Sequence, residues 1–292
     1  MSDDMPRPSR RQLLTAALVA GGGMAAGRAM AQGSPDPAIT EVQPWRRYLG
    51  DGVDTRPYGH PSPFEAHVVR RNVPWLTADS ISSINFTPLH ELDGIITPNG
   101  LCFERHHGGI AEIDPSAHRL MIHGLTDRSL VLTMQDLMRF PRENRVYFLE
   151  CAANSGMEWA GAQLNGCQYT HGMIHNVMYT GVPLRLLLKE AGVRSSGSWI
   201  LAEGADASGM TRSIPMEKAM DDVLVAFAMN GEALRPEQGY PLRLVVPGWE
   251  GNMWIKWLRR IEIGDQPWYQ REETWKNMKA LRHVADTYDK DV

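Results

Sequence analysis

The sequence predicts an α+β fold in which strands outnumber short helices. Short apolar runs of strand length recur from about residue 95 onward. The helical patterns between them are brief. The regular strand–helix alternation that a doubly wound parallel sheet requires is missing.

The elements follow in order. Arg119 to Gly124 is an apolar run closed by glycine and reads as a strand. Thr133 is an N-cap for a short helix that runs to Arg139 and stops before Pro141. Arg145 to Glu150 is a strand leading straight into Cys151. Pro183 to Glu190 is a helix with proline at its start and Gly192 just past its end. Trp199 to Ala202 is another strand. Asp222 to Met229 and Pro241 to Val246 are strands separated by Asn230-Gly231 and a Pro/Gly-rich connection. Trp254 to Ile263 completes the set.

Ahead of this region lies a leader. Ser9-Arg10-Arg11-Gln12-Leu13-Leu14 opens an apolar stretch to Gly27 that ends at Ala29-Met30-Ala31. A charged start, a short apolar middle and a small-residue exit predict a cleaved export signal over residues 1–31. Paired arginines after a serine indicate the twin-arginine type, a route that carries folded, often cofactor-loaded, proteins. The stretch is too short and too rich in Gly and Ala to span a membrane. The mature chain is therefore expected outside the cytoplasm, in the periplasm. Residues 32–75 read as an extended arm, rich in Pro, Gly and charge at its start.

At 292 residues and 43% hydrophobic content, the chain can build an ordinary globular core. Its formal net charge of −4 argues against nucleic acid as a partner. No G-x-G-x-x-G follows a strand and no phosphate-binding G-x-x-x-x-G-K-[ST] occurs, so nothing supports a nicotinamide or nucleoside-triphosphate site. Three cysteines, Cys102, Cys151 and Cys167, are too few and too odd in number for a disulfide scaffold, although a Cys102–Cys167 bridge stays open.

Several residues could carry chemistry. Cys151 ends a strand and is followed by Ala152-Ala153-Asn154-Ser155-Gly156, small residues that admit a bulky ligand. It reads either as a structural thiol or as a functional one. Arg105, His106 and His107 follow a Pro/Gly turn and suit an oxyanion clamp, or equally a solvated loop. His171 and His175 stand four apart without an H-E-x-x-H pattern. They are expected in a half-buried loop, one of them beside a pocket. Asp206 lies in a Gly-rich loop. Arg243 and Lys256 would suit a phosphate, whereas Arg259 and Arg260 read as a solvated strand face. The tryptophans at 249, 254, 257, 268 and 275 read as core.

Taken together, four segments resemble the sulfite oxidase family of molybdopterin enzymes. They are the runs Thr97-Pro98-Asn99-Gly100-Leu101-Cys102-Phe103-Glu104-Arg105-His106-His107, Phe148-Leu149-Glu150-Cys151-Ala152-Ala153-Asn154, Gly239 to Gly248, and Ile255-Lys256-Trp257-Leu258. The resemblance is greatest to the catalytic subunit of Sox-type sulfite dehydrogenases. Gly156 to Trp159, Asn165 to His175 and Val246 to Asn252 carry that likeness.

The resemblance implies a molybdopterin-binding domain over residues 76–275, built of mixed sheets with short helices. It implies a molybdenum–molybdopterin cofactor with Cys151 as the metal's thiolate ligand. Arg105 would hold the substrate oxyanion, and Tyr169 would stand where the animal enzymes carry a pocket tryptophan. Phe103, Arg105, His107, Asp206, Arg243 and Lys256 would contact the cofactor. Gln238 occupies a position that is histidine in many relatives, and Gly156 one that is arginine in the animal oxidases. Sulfite or a similar small oxyanion would be the substrate, and a c-type cytochrome the electron acceptor. The likeness fades after about Thr274, and residues 276–292 form a divergent charged tail. The C-terminal β-sandwich of Sox-type members is thus largely absent, which removes the expected basis for a homodimer. The rival readings are a same-fold molybdenum reductase, for example of methionine sulfoxide, and a non-catalytic remnant of the fold.

Overall fold

The computed structural model describes residues 61–72, 83–159, 161 and 166–270. The export signal, most of the extended arm and the divergent tail lie outside the described residues.

Three sheets organise the domain. The first is small and antiparallel, ordered β1 (Arg71–Asn72), β2 (Ser83–Phe86), β3 (Arg105–His106). Residues at the end of the expected arm therefore contribute a strand. The second contains β6 (Glu143–Glu150), β7 (Ile174–Pro183), β10 (Leu224–Met229) and β11 (Glu232–Ala233), with β12 (Arg243–Val245) also paired to β10. The third is ordered β5 (Leu130–Leu132), β4 (Leu120–Gly124), β13 (Leu258–Gly264), β8 (Trp199–Gly204), β9 (Thr211–Pro215). Its β4 and β13 run parallel, and the other pairs are antiparallel. Strands dominate, as the sequence predicts.

Local chemistry explains the helices. Helix α1 (Met134–Leu137) is started by a capping box. The Asp136 amide donates to Thr133 Oγ1 at 3.1 Å, and the Thr133 amide donates to the Asp136 carboxylate at 3.0 Å. Helix α2 (Cys167–His171) is a single short turn. Helix α3 (Leu184–Ala191) follows Pro183 and ends at Gly192, whose φ of 69° is left-handed. Leu184, Leu187, Leu188 and Ala191 are fully buried, spaced as one helical face, while Lys189 and Glu190 are exposed. Each buried leucine contributes about 1.5–3 kcal/mol of apolar burial. Helix α4 (Met216–Asp221) links β9 to β10.

The Asn230-Gly231 signal is realised as a two-residue hairpin turn between β10 and β11. Both residues have positive φ, 51° and 82°, and Met229 pairs with Glu232. The Asn230 side chain also donates to Thr97 O at 2.9 Å, drawing the 97–103 segment onto this sheet.

Two expectations need correction, and one alternative left open is closed. His171 and His175 do not share a half-buried loop: His171 ends α2 and His175 lies in β7. Along β7 burial alternates, so His175, Val177 and Tyr179 share the inward face. Gly172 caps the C-terminus of α2, just ahead of β7. The last strand begins at Leu258 and not at Trp254, because Gly251–Met253 forms a 3₁₀ turn and Trp257 has φ 52°. Finally, Cys102 and Cys167 are both free, the first wholly buried and the second exposed.

Candidate functional site

A cavity of about 330 Å³ opens where the three sheets meet, within the range of small-molecule sites. Its wall is assembled from segments distant in sequence: 103–107, 149–153, the β8–β9 loop, Gln238, Arg243 and 251–257. Of the residues expected at the site, Phe103, Arg105, His107, Cys151, Asp206, Arg243 and Lys256 all line it. Tyr169 does not. Its ring is buried in α2, 5.4 Å from Phe86 and under the Arg71 guanidinium at 5.3 Å. Packing on the first sheet takes the side chain that the resemblance places in the pocket.

Cys151 is held by its main chain. Its amide donates to Met173 O at 3.0 Å, and its carbonyl accepts from Asn154 N at 2.9 Å. Burial raises the thiol's pKa, a bond to the Ala153 backbone lowers it, and the nearby Arg105 lowers it further. Gly251 packs directly on this strand end. A Cβ there would meet Glu150 O at 2.9 Å and the Cys151 Cα at 3.4 Å, so only glycine permits that approach.

Arg105 leaves β3 with Nη1 donating to Ser83 O at 3.2 Å and His106 O at 2.9 Å. Burial lowers its pKa and Cys151 opposes that shift. On the adjoining loop, a Cβ on Gly108 would fall 2.5 Å from Ser208 N, which brings His107 and Asp206 onto one wall. Asp206 accepts a short hydrogen bond from Ser208 Oγ.

The late cations sit deeper. Arg243 is 2% exposed, and its Nη1 donates to Gln238 O at 3.0 Å and Gln238 Oε1 at 3.3 Å. Gln238 in turn donates to Phe103 O at 2.9 Å, so it ties the early segment to Arg243. Lys256 Nζ donates to Arg105 O at 3.1 Å and Glu237 O at 2.9 Å, and lies 4.5 Å from the Trp257 ring centre. Burial, with Arg243 beside it, lowers its pKa to about 7.

Three histidines differ in role. Burial first, then Lys256, lowers the His106 pKa to about 4, and burial lowers that of His175 to about 3, so both are neutral at pH 7. His175 packs against Phe103 with ring centres 4.9 Å apart and planes tilted by 43°. Its Nδ1, the Nδ1 of His106 and the Nε of Arg243 are buried polar atoms with no hydrogen-bond partner. His171 is partly exposed and faces Glu158 at 3.9 Å.

Sequence reasoning missed several lining residues: Ser208, Met210, Arg212 and Asn252. Trp254 and Trp257 are core as expected, but they also line the cavity. Trp249, also read as core, is instead 37% exposed on the turn after Val246, Trp268 is only partly buried, and Trp275 lies outside the described residues. Arg259 and Arg260 pair with Glu203 outside it, as their solvated pattern predicts.

Among the described residues, no group of three His, Cys, Asp or Glu side chains could hold a metal by itself. A metal at Cys151 would need further ligands from a bound group, and the cavity fits one. It offers a thiol, unpartnered buried polar atoms and two cations at its deep end.

The comparisons with known proteins agree. The family described as "Oxidoreductase molybdopterin binding domain" matches residues 107–273. Mouse mitochondrial sulfite oxidase is 34% identical over 209 residues, covering 67% of this chain and 38% of that protein. Tomato nitrate reductase [NADH] is 35% identical over 214 residues, covering 68% of this chain and 23% of that one. The solved structure of the sulfane dehydrogenase SoxCD from Paracoccus pantotrophus superposes with a TM-score of 0.76 at 62% identity. It covers 83% of this chain and 62% of that one.

The chain belongs to the molybdopterin-binding oxidoreductase family and is similar to sulfite oxidases and to a Sox-system member within it. The cofactor of such a domain is molybdenum–molybdopterin. The chain spans well under half the length of the curated relatives it matches.

Proposed function

We propose that this chain is the molybdopterin-binding part of a periplasmic oxidoreductase that oxidises sulfite to sulfate and passes the electrons to a c-type cytochrome. The observation that carries the reading is the meeting of Cys151 and Arg105 in one cavity, close enough for each to shift the other's ionisation. The bound cofactor supplies oxygen-atom transfer and two-electron redox chemistry.

The chain's own residues do the rest. Cys151 would ligate the metal as thiolate; burial disfavours that charge, and the metal's own charge offsets it. Arg243 and Lys256 would hold the cofactor's phosphate, with Asp206 and His107 on the adjoining wall and Phe103 packed beside His175. Arg105 would bind the substrate's anionic oxygens through its guanidinium, already oriented by two main-chain carbonyls. Overall, sulfite and water become sulfate, two protons and two electrons.

A second reading has its own support. The 62% identity with a sulfane dehydrogenase favours a sulfane sulfur as the oxidised centre. The same site would serve either substrate.

The test is cytochrome c reduction by the molybdenum-loaded protein with sulfite and, separately, with a sulfane-sulfur compound. Elemental analysis would compare wild type with Cys151→Ser. One molybdenum per chain, lost in the variant, together with sulfite-dependent reduction, is the expected result. Reduction by the sulfane donor alone would move the assignment to the second reading. A chain that binds no molybdenum would leave a non-catalytic remnant of the fold.

A further inference from the structure

One side chain closes the turn that follows β6. Asn154 is buried, although Ala152 and Ala153 just before it are exposed. An amide taken out of water needs partners for both of its ends. Its Nδ2 donates to Glu150 Oε1 at 2.9 Å, and its Oδ1 accepts from Met173 N at 3.0 Å. Asn154 thus bridges the last residue of β6 and the residue just ahead of β7.

The second of these bonds replaces half of a rung. The register of β6 on β7 ends with Glu150 opposite Ile174, and Cys151 N still donates to Met173 O at 3.0 Å. In a hydrogen-bonded antiparallel pair the two residues exchange both bonds. Here the return bond is diverted. Cys151 O accepts from Asn154 N at 2.9 Å, and the Met173 amide goes to Asn154 Oδ1. The chain therefore leaves the sheet at the residue that carries the thiol, with both ends of the broken rung met by Asn154. Gly251 closes on the Cys151 main chain as well. The turn has a chemical product: it brings the Ala153 backbone into a hydrogen bond with the Cys151 sulfur. Such a bond draws charge from a ligating sulfur and favours the reduced state of the metal it holds.

We propose that Asn154 is a positioning residue for the metal's thiolate: it holds the 151–154 turn closed, aims the Ala153 amide at Sγ, and so sets the reduction potential of the bound molybdenum. The inference rests on the reading of Cys151 as the metal's ligand. It adds that the turn tunes the centre as well as building its wall.

The test uses molybdenum-loaded protein. The reduction potential is followed by redox titration with electron paramagnetic resonance, and the sulfur-to-molybdenum charge-transfer band by absorption. In Asn154→Ala the potential should fall and the band should move to longer wavelength, with turnover lowered about tenfold. The double change Asn154→Asp with Glu150→Gln exchanges donor and acceptor across their bond, keeps an acceptor for Met173 N and conserves net charge. It should bring potential and band back toward wild type, whereas Asn154→Asp alone should not. A side chain that served folding alone would lower the melting temperature and leave both readings where they were. Unchanged potential and band in molybdenum-replete N154A would therefore overturn the proposal. If N154A does not accumulate with molybdenum, Asn154→Ser carries the test, and unchanged values there are equally fatal. A band that survives in Cys151→Ser would sink the ligand reading itself. A band lost in Cys151→Ser but indifferent to Asn154 would sink this proposal alone.

Discussion

Lys256 Nζ donates to the main-chain carbonyl of Arg105 at 3.1 Å, across 151 positions of sequence. One bond thus couples the end of the cavity expected to bind phosphate to the residue expected to bind substrate. Lys256→Met should release both segments, with molybdenum content falling severalfold and the KM for sulfite rising, as measured by elemental analysis and steady-state kinetics.

The same lysine sets a pH signature. Its folded pKa of about 7 lies below the ordinary 10.5. Between those values the unfolded chain binds the proton that the fold resists. Stability of the cofactor-free protein should therefore rise as pH goes from about 7 toward 10.5. Urea unfolding across that window should show the rise in wild type and a flatter profile in Lys256→Met.

His175 acts at the acid end. Burial lowers its pKa to about 3 from an ordinary 6.5. Its contribution is full above 6.5 and is lost as pH falls toward 3, because only the unfolded chain takes up the proton there. His175→Gln, which does not titrate, should move the acid-unfolding midpoint to lower pH by circular dichroism.

Gly251→Ala should damage the site while sparing the fold. Its Cβ would fall 2.9 Å from Glu150 O and 3.0 Å from a Leu149 methyl, on the strand end that carries Cys151. The expected result is a severalfold loss of molybdenum content with a melting temperature lowered by only a few degrees, about 1–2 kcal/mol.

Leu188→Ala tests the core away from the cavity. The side chain is fully buried on the inner face of α3. Chemical denaturation should report a loss of about 2–5 kcal/mol, with cofactor content unchanged in the folded fraction.

Local signals were readable in proportion to how local their physics is. The Thr133 cap, the proline and glycine bounding α3, the Asn230-Gly231 turn and the apolar run into Cys151 each depend on neighbours a few residues away. The motif segments also led to the cavity, since Arg105, Cys151, Arg243 and Lys256 converge there. Arg212 was not readable. Thr211-Arg212-Ser213 looks like any half-solvated strand until Asn252, 40 positions on, turns the guanidinium inward. His175 was misplaced because it was read together with His171 as one loop, whereas the alternation with Val177 and Tyr179 marks a buried strand face. Tyr169 shows the opposite failure: an aligned position whose ring packs on Phe86 instead of facing the pocket.

The parallel pairing of β4 with β13 joins residues 120–124 to residues 258–264. A nascent chain therefore emerges from the ribosome with Arg105 and Cys151 already made but the opposite wall still untranslated. Until Arg243, Lys256 and β13 arrive, there is half a basin and nothing to close it. Loading of a large prosthetic group must come after synthesis of this domain is complete, as a step on a finished polypeptide.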